Sequence, residues 1–211
     1  MDILQRSWGS MTRERASEYL KTYGAPSPGS KQLLLEVISE QVARRPVSLL
    51  DLGCGNAQLY EFFREGELDC EYTGVDVSEP LLEVARSNHE GDPRARFVQA
   101  DVNSLEGVEG HFDVAIYSHV VEILPSPDRS LLAAKALADR IIIRFFEPPE
   151  AGHDLVELRE MEIGDGTTVP YIRRTMGRDY YRLLLSKLGC KRVDIYQDET
   201  AKDQVHVLHY G

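Results

Sequence analysis

Asp51, Asp76, Asp101 and the pair Ser118-His119 follow one another at spacings of about 25, 25 and 18 residues, and each closes a short apolar run. One acid at a strand end is ordinary capping, but three in consecutive runs reinforce one another. A carboxylate at such an end can accept both hydroxyls of a ribose in a bidentate hydrogen bond, and Asp76 is the candidate. Asp101 can accept an adenine amino proton, with Val77 and Val102 giving apolar faces to the ring. Histidine is the side-chain type suited to proton transfer at neutral pH, which makes His119 the first candidate for a general base; Glu147, after a further apolar run, is the second. The competing reading is that His119 and Glu147 line or cap strand ends.

The element that must position these groups is Val47-Ser48-Leu49-Leu50-Asp51-Leu52-Gly53-Cys54-Gly55-Asn56-Ala57. An apolar strand here runs into a glycine turn and then a helix. Gly53 and Gly55 allow a tight turn and a close approach of backbone to ligand, and Ala57 is small enough for helix-strand packing. Cys54 lies in the turn and reads as a small buried filler. The following helix turns its free amides toward the turn.

Strand and helix then alternate at βαβ spacing: strand 47–52, helix 57–65, strand 71–77, helix 79–88, strand 95–99, strand 112–117, helix 129–138 and strand 140–146. Five such strands predict a mostly parallel sheet with helices on both faces. Ligands of open α/β sheets bind at the carboxyl ends of the strands, where strand order reverses. Upstream, residues 10–23 form a helix ended by Gly24, Pro26 and Pro28. A second helix starts near Ser27-Pro28, buries Leu33, Leu34, Val37, Ile38 and Val42, and ends at Arg44-Arg45-Pro46. Downstream, 154–163 and 167–175 flank the turn Gly164-Asp165-Gly166 and predict a hairpin, with a helix over 154–162 as the alternative. A helix over 178–188 closed by Gly189 and an antiparallel pair, 191–197 and 204–210, complete the chain. One domain over 1–211 is expected: a helical cap (1–46), a cofactor-binding core (47–146), a substrate-side insertion (147–176) and a C-terminal helix and strand pair (177–211).

The formal charge of -11 repels phosphate backbones, so nucleic acid is not an expected partner. Three scattered cysteines make neither a disulfide framework nor a metal knuckle, no histidine cluster has metal-ligand spacing, and no run of about 20 apolar residues spans a membrane. A cytoplasmic monomer or homodimer that binds no metal is expected.

The blocks Leu50-Asp51-Leu52-Gly53-Cys54-Gly55-Asn56-Ala57, Tyr72-Thr73-Gly74-Val75-Asp76-Val77-Ser78, Ala100-Asp101-Val102 and Phe112 to Glu122, in this order, resemble the class I S-adenosylmethionine-dependent methyltransferases over residues 47–146. The resemblance implies a Rossmann-like sheet of seven strands with the last antiparallel, S-adenosyl-L-methionine as cofactor, its methionine part over Asp51 and Gly53, ribose on Asp76 and adenine near Asp101. Ala57 departs from the family pattern, which commonly has a third glycine there. A nicotinamide-dependent oxidoreductase is disfavoured because Gln58 holds the third small position of the G-x-G-x-x-G fingerprint. Aminopropyl transfer is disfavoured because no acidic run follows the fourth strand.

Methyl transfer from a sulfonium is an in-line displacement, for which orientation supplies on the order of 7 to 11 kcal/mol. A base adds about 10²- to 10⁴-fold. The expected acceptor is N or O of a small metabolite, roofed by Tyr19 and Tyr23 of the N-terminal helix and by the insertion, with Tyr117 as a wall. Arg144, Arg173 and Arg174 can grip a carboxylate or phosphate, although neighbouring Arg173 and Arg174 on a strand face opposite ways and at least one is expected at the surface. The alternatives are a peptide or protein acceptor and a non-catalytic S-adenosylmethionine-binding regulator.

Overall fold

The computed structural model describes residues 2–23, 28–43, 45–150, 152–197 and 203–210. Its elements are α1 (Ile3–Arg6), a 3₁₀ turn (Trp8–Ser10), α2 (Arg13–Tyr23), α3 (Pro28–Gln41), β1 (Val47–Leu52), α4 (Gln58–Glu65), β2 (Cys70–Asp76), α5 (Glu79–Asn88), β3 (Ala95–Gln99), β4 (Phe112–Ser118), a 3₁₀ turn (Val121–Ile123), α6 (Pro127–Leu137), β5 (Ala138–Phe145), β6 (Leu155–Gly164), β7 (Thr167–Thr175), α7 (Arg178–Lys187), β8 (Arg192–Gln197) and β9 (Gln204–His209). Gly24–Ser27, expected to break one helix and begin the next, lie outside the described residues. The segment α1 and its 3₁₀ turn is not apparent in the sequence periodicity, being too short to show one.

Seven strands form one sheet in the order β3-β2-β1-β4-β5-β9-β8. All pair in parallel except β9, which runs antiparallel to both β5 and β8. Strand order reverses between β1 and β4, so the turn after β1 and the turn after β4 meet at the same edge of the sheet. Alternate side chains leave opposite faces. Leu50, Ala115, Tyr117, Ile141 and Ile143 pack with Leu131 of α6 and Leu184 of α7. Leu49, Val114, Ile116 and Ile142 pack on the other face with Ile38 of α3, Phe63 of α4 and Leu82 of α5. Near-continuous apolar strands are what two covered faces require.

The 154–162 stretch is strand: β6 and β7 pair as a separate two-stranded sheet with an irregularity at Glu162 to Gly164. The N-terminal segment is fastened to this hairpin. Thr12 N–H donates to the Ile163 carbonyl at 2.7 Å, the Arg15 guanidinium reaches the Glu162 carbonyl, and Trp8 meets Tyr171 edge-on at 6.0 Å. Gly164 has φ 124°, and a Cβ there would stand 2.1 Å from Thr12 Oγ1, so this docking needs glycine. Among the described residues, no helix is long and apolar enough to cross a membrane.

Candidate active site

A cavity of about 650 Å³ opens at the carboxyl ends of β1, β2, β4 and β5, roofed by the N-terminal segment and the hairpin. Its first wall is the turn after β1. Gly53 and Gly55 take φ of 74° and 57°, and a Cβ on Gly55 would meet nothing within 4 Å, so the backbone there borders open space. Gly74 of β2 serves the same turn from behind, because a Cβ on it would lie 2.7 Å from Cys54 Sγ. Cys54 is buried filler, as the sequence suggests, and burial pushes its thiol well above its usual range. Ala57 adopts φ 64° immediately before α4. The missing third glycine is therefore felt through the left-handed backbone and not through side-chain size.

Asp51 and Asp76 both line the cavity and are 2% and 7% exposed. Asp76 is held by backbone: Gly55 N–H and Ser78 N–H donate to its two oxygens, each at 2.9 Å. Asp51 accepts from the Tyr72 hydroxyl at 2.5 Å. Burial pushes the Asp51 carboxyl up, the Tyr72 bond opposes it, and nearby Asp76 adds to the rise, leaving it at about 7. Val77, Leu81 and Val102 supply an apolar face beside Asp76. Asp101 is off this lining: its Oδ1 is turned back onto the backbone and side-chain N–H groups of Asn103. Val77 and Val102, by contrast, do line the cavity.

The opposite wall is made of charged side chains from distant segments. His119, at φ 62° after β4, sets Nε2 3.2 Å from Asp203, while its Nδ1 is buried and 3.9 Å from Glu122. Arg144 donates to Asp203 at 3.0 Å and to Ser118 Oγ at 3.1 Å. Burial alone raises the Asp203 carboxyl, but His119 and Arg144 together outweigh it and hold it below its usual range. Glu122, 1% exposed, accepts from the backbone of Phe146 and Glu147 and faces Arg173 at 3.6 Å. Arg173 also lies over the Phe146 ring at 5.1 Å. His119 thus lines the cavity with one ring nitrogen on Asp203 and the other buried without a hydrogen bond.

Several expected site residues are elsewhere. Tyr117 is wholly buried in the core, its hydroxyl on Ser130, because its place in β4 sends it to the α6 face of the sheet. Glu147 is exposed and accepts from Thr175 Oγ1 outside the cavity. Arg174 faces away from Arg173, as strand alternation requires, but it is buried against Asp154 and the Tyr180 ring, not surface-exposed. The side chains of Tyr19 and Tyr23 lie outside the described residues. Ser118, Arg144 and Arg173 do line the cavity. So do Leu4, Trp8, Met11, Lys31 and Phe146, none of them singled out by spacing, and Asp203 is hidden in a polar loop. Among the described residues no group of three metal-ligating side chains is assembled.

Residues 49–138 match the family model described as a methyltransferase domain. The chain is 32% identical over 101 residues to the malonyl-[acyl-carrier protein] O-methyltransferase of Pseudescherichia vulneris, covering 48% of this chain and 37% of that protein. It is 31% identical over 157 residues to the demethylmenaquinone methyltransferase of Clavibacter sepedonicus, covering 69% of this chain and 62% of that one. The chain thus spans less than two thirds of the length of either relative. The solved structure of DhpI in complex with SAH superposes at a TM-score of 0.73 with 14% identity, over 99% of this chain and 98% of that one. Residues 49–138 thus match a methyltransferase domain, and the sheet order and glycine turn belong to a fold shared with the DhpI structure.

Proposed function

We propose that the protein binds S-adenosylmethionine in the 650 Å³ cavity and transfers its methyl group to N or O of a small-molecule acceptor. The observation that carries this reading is the pair of buried carboxylates, Asp51 and Asp76, aimed into one cavity beside a glycine turn with open space at Gly55. Asp76, fixed by two backbone N–H groups, keeps lone pairs for two ribose hydroxyls. Asp51 meets the methionine ammonium, Val77 and Val102 hold the adenine faces, and the backbone of Gly53 and Gly55 lets the chain pass close by. Bound there, the cofactor supplies a methyl carbon on a sulfonium that leaves as a neutral thioether.

The chain's own work is alignment. Residues 47–146 hold the cofactor, and the N-terminal segment with the 147–176 hairpin closes the acceptor space from above and excludes water. Arg173, turned into the cavity, is offered to an acidic group on the acceptor, while Arg144 and His119 fix the ends of β4 and β5 relative to one another. Orientation of the acceptor lone pair then supplies on the order of 7 to 11 kcal/mol. Titration calorimetry with S-adenosylhomocysteine tests the reading: micromolar binding is expected, and no binding at millimolar concentration overturns it. Labelled S-adenosylmethionine incubated with a pool of small metabolites is then expected to yield a labelled product.

A further inference from the structure

Lys31, near the start of α3, lines the cavity and is 9% exposed. It has no hydrogen bond and no ion pair among the described residues; its described contact is the face of Phe62 on α4, 6.0 Å from Nζ to the ring centre. The other cations on the lining are engaged: Arg144 with Asp203 and Ser118, Arg173 with Glu122, Arg15 with Glu18. A buried ammonium without a carboxylate is costly, and proteins keep such groups where they are paired or serve a ligand. Burial, and next the Arg144 charge, hold the Lys31 ammonium below its usual range, while the carboxylates of Glu61 and Glu65 pull the other way. Phe62 and Glu61 belong to the helix that follows the glycine turn, so Lys31 stands on the turn's side of the cavity, between α4 and the end of β5.

From this juxtaposition we infer that Lys31 is the anion-binding group of the cofactor site and pairs with the carboxylate of the methionine end, the inference resting on the cofactor reading above. Asp51 and Lys31 would then divide the zwitterion, the acid taking the ammonium and the lysine the carboxylate. The assignment sets Lys31 apart from Arg173, which is offered to the acceptor.

The test pairs two ligands that differ by the amino-acid end. Calorimetry on wild type, Lys31→Met and Lys31→Arg uses S-adenosylhomocysteine and 5′-methylthioadenosine, which has the nucleoside and thioether but no carboxylate. Lys31→Met keeps the apolar stem and is expected to weaken S-adenosylhomocysteine about 10- to 100-fold. It should leave 5′-methylthioadenosine within about twofold, and Lys31→Arg should recover part of the loss. The melting temperature of ligand-free Lys31→Met is expected to match or exceed wild type, since an unpaired buried charge has gone. Equal weakening of both ligands, or unchanged S-adenosylhomocysteine affinity, overturns the assignment of Lys31. Wild type that binds neither ligand instead overturns the cofactor reading itself.

Discussion

The two walls of the cavity are built on different plans. At the turn after β1, the carboxylates of Asp51 and Asp76 are buried and held by backbone N–H groups and one tyrosine, all within about 25 residues of chain. Across the cavity, His119, Glu122, Arg144, Arg173 and Asp203 hold one another through side chains brought from four separate segments. Neither carboxylate of the first wall has an ion pair among the described residues, whereas the charges of the second wall face one another. A wall with uncompensated buried charge gives up stability for binding, whereas a self-paired wall contributes rigidity.

The contrast breaks first at Asp76. Asp76→Ala is expected to weaken S-adenosylhomocysteine by about 100-fold or more in calorimetry, since two charge-assisted hydrogen bonds go at once. Asp203→Ala should do the reverse: about 3 kcal/mol less stability in denaturant unfolding, because a buried Arg144–Asp203 ion pair is broken, and S-adenosylhomocysteine affinity within a few-fold of wild type. Equal effects of the two variants on both measurements would erase the distinction. The pH responses also differ in sign. The Asp203 carboxyl is lowered in the fold, so its contribution is present above about pH 4 and fades as pH falls through its folded value. The Asp51 carboxyl is raised to about 7, so folding stability falls as pH rises from about 4 to 7. S-adenosylhomocysteine affinity should climb between about pH 6 and 8 as that proton leaves, and Asp51→Asn should melt higher at about pH 8 while losing this dependence. The smallest effect is expected at the turn's third position, where Ala57→Gly relieves a left-handed alanine and should add up to about 1 kcal/mol, read from the urea midpoint.

Those differences also explain what was legible beforehand. Asp51, Gly53, Gly55 and Asp76 sit in local patterns, a strand's alternation followed by a turn that needs glycine, and such patterns survive in one dimension. The hairpin was legible for the same reason, through Gly164-Asp165-Gly166 between two β-forming segments. Asp203 was not, because its partners His119 and Arg144 are 84 and 59 residues away in sequence and meet it only through sheet order. Tyr117 was misplaced by a one-residue question of parity: Ser118 opens on the cavity and its neighbour must face the core. Lys31 carries no local signal, since a lysine near a helix start is ordinarily a solvated one.

The reversed direction of β9 has a practical consequence. Because it runs against β5, its first residue follows Asp203 at the cavity mouth while Tyr210 ends up at the far edge, its hydroxyl donating to the Ala138 carbonyl at 2.9 Å. Leu4 and Trp8, by contrast, form part of the cavity lining. The Tyr210 end of β9 therefore lies on the side of the sheet remote from the cavity, whereas a substitution at Leu4 or Trp8 changes the cavity lining itself.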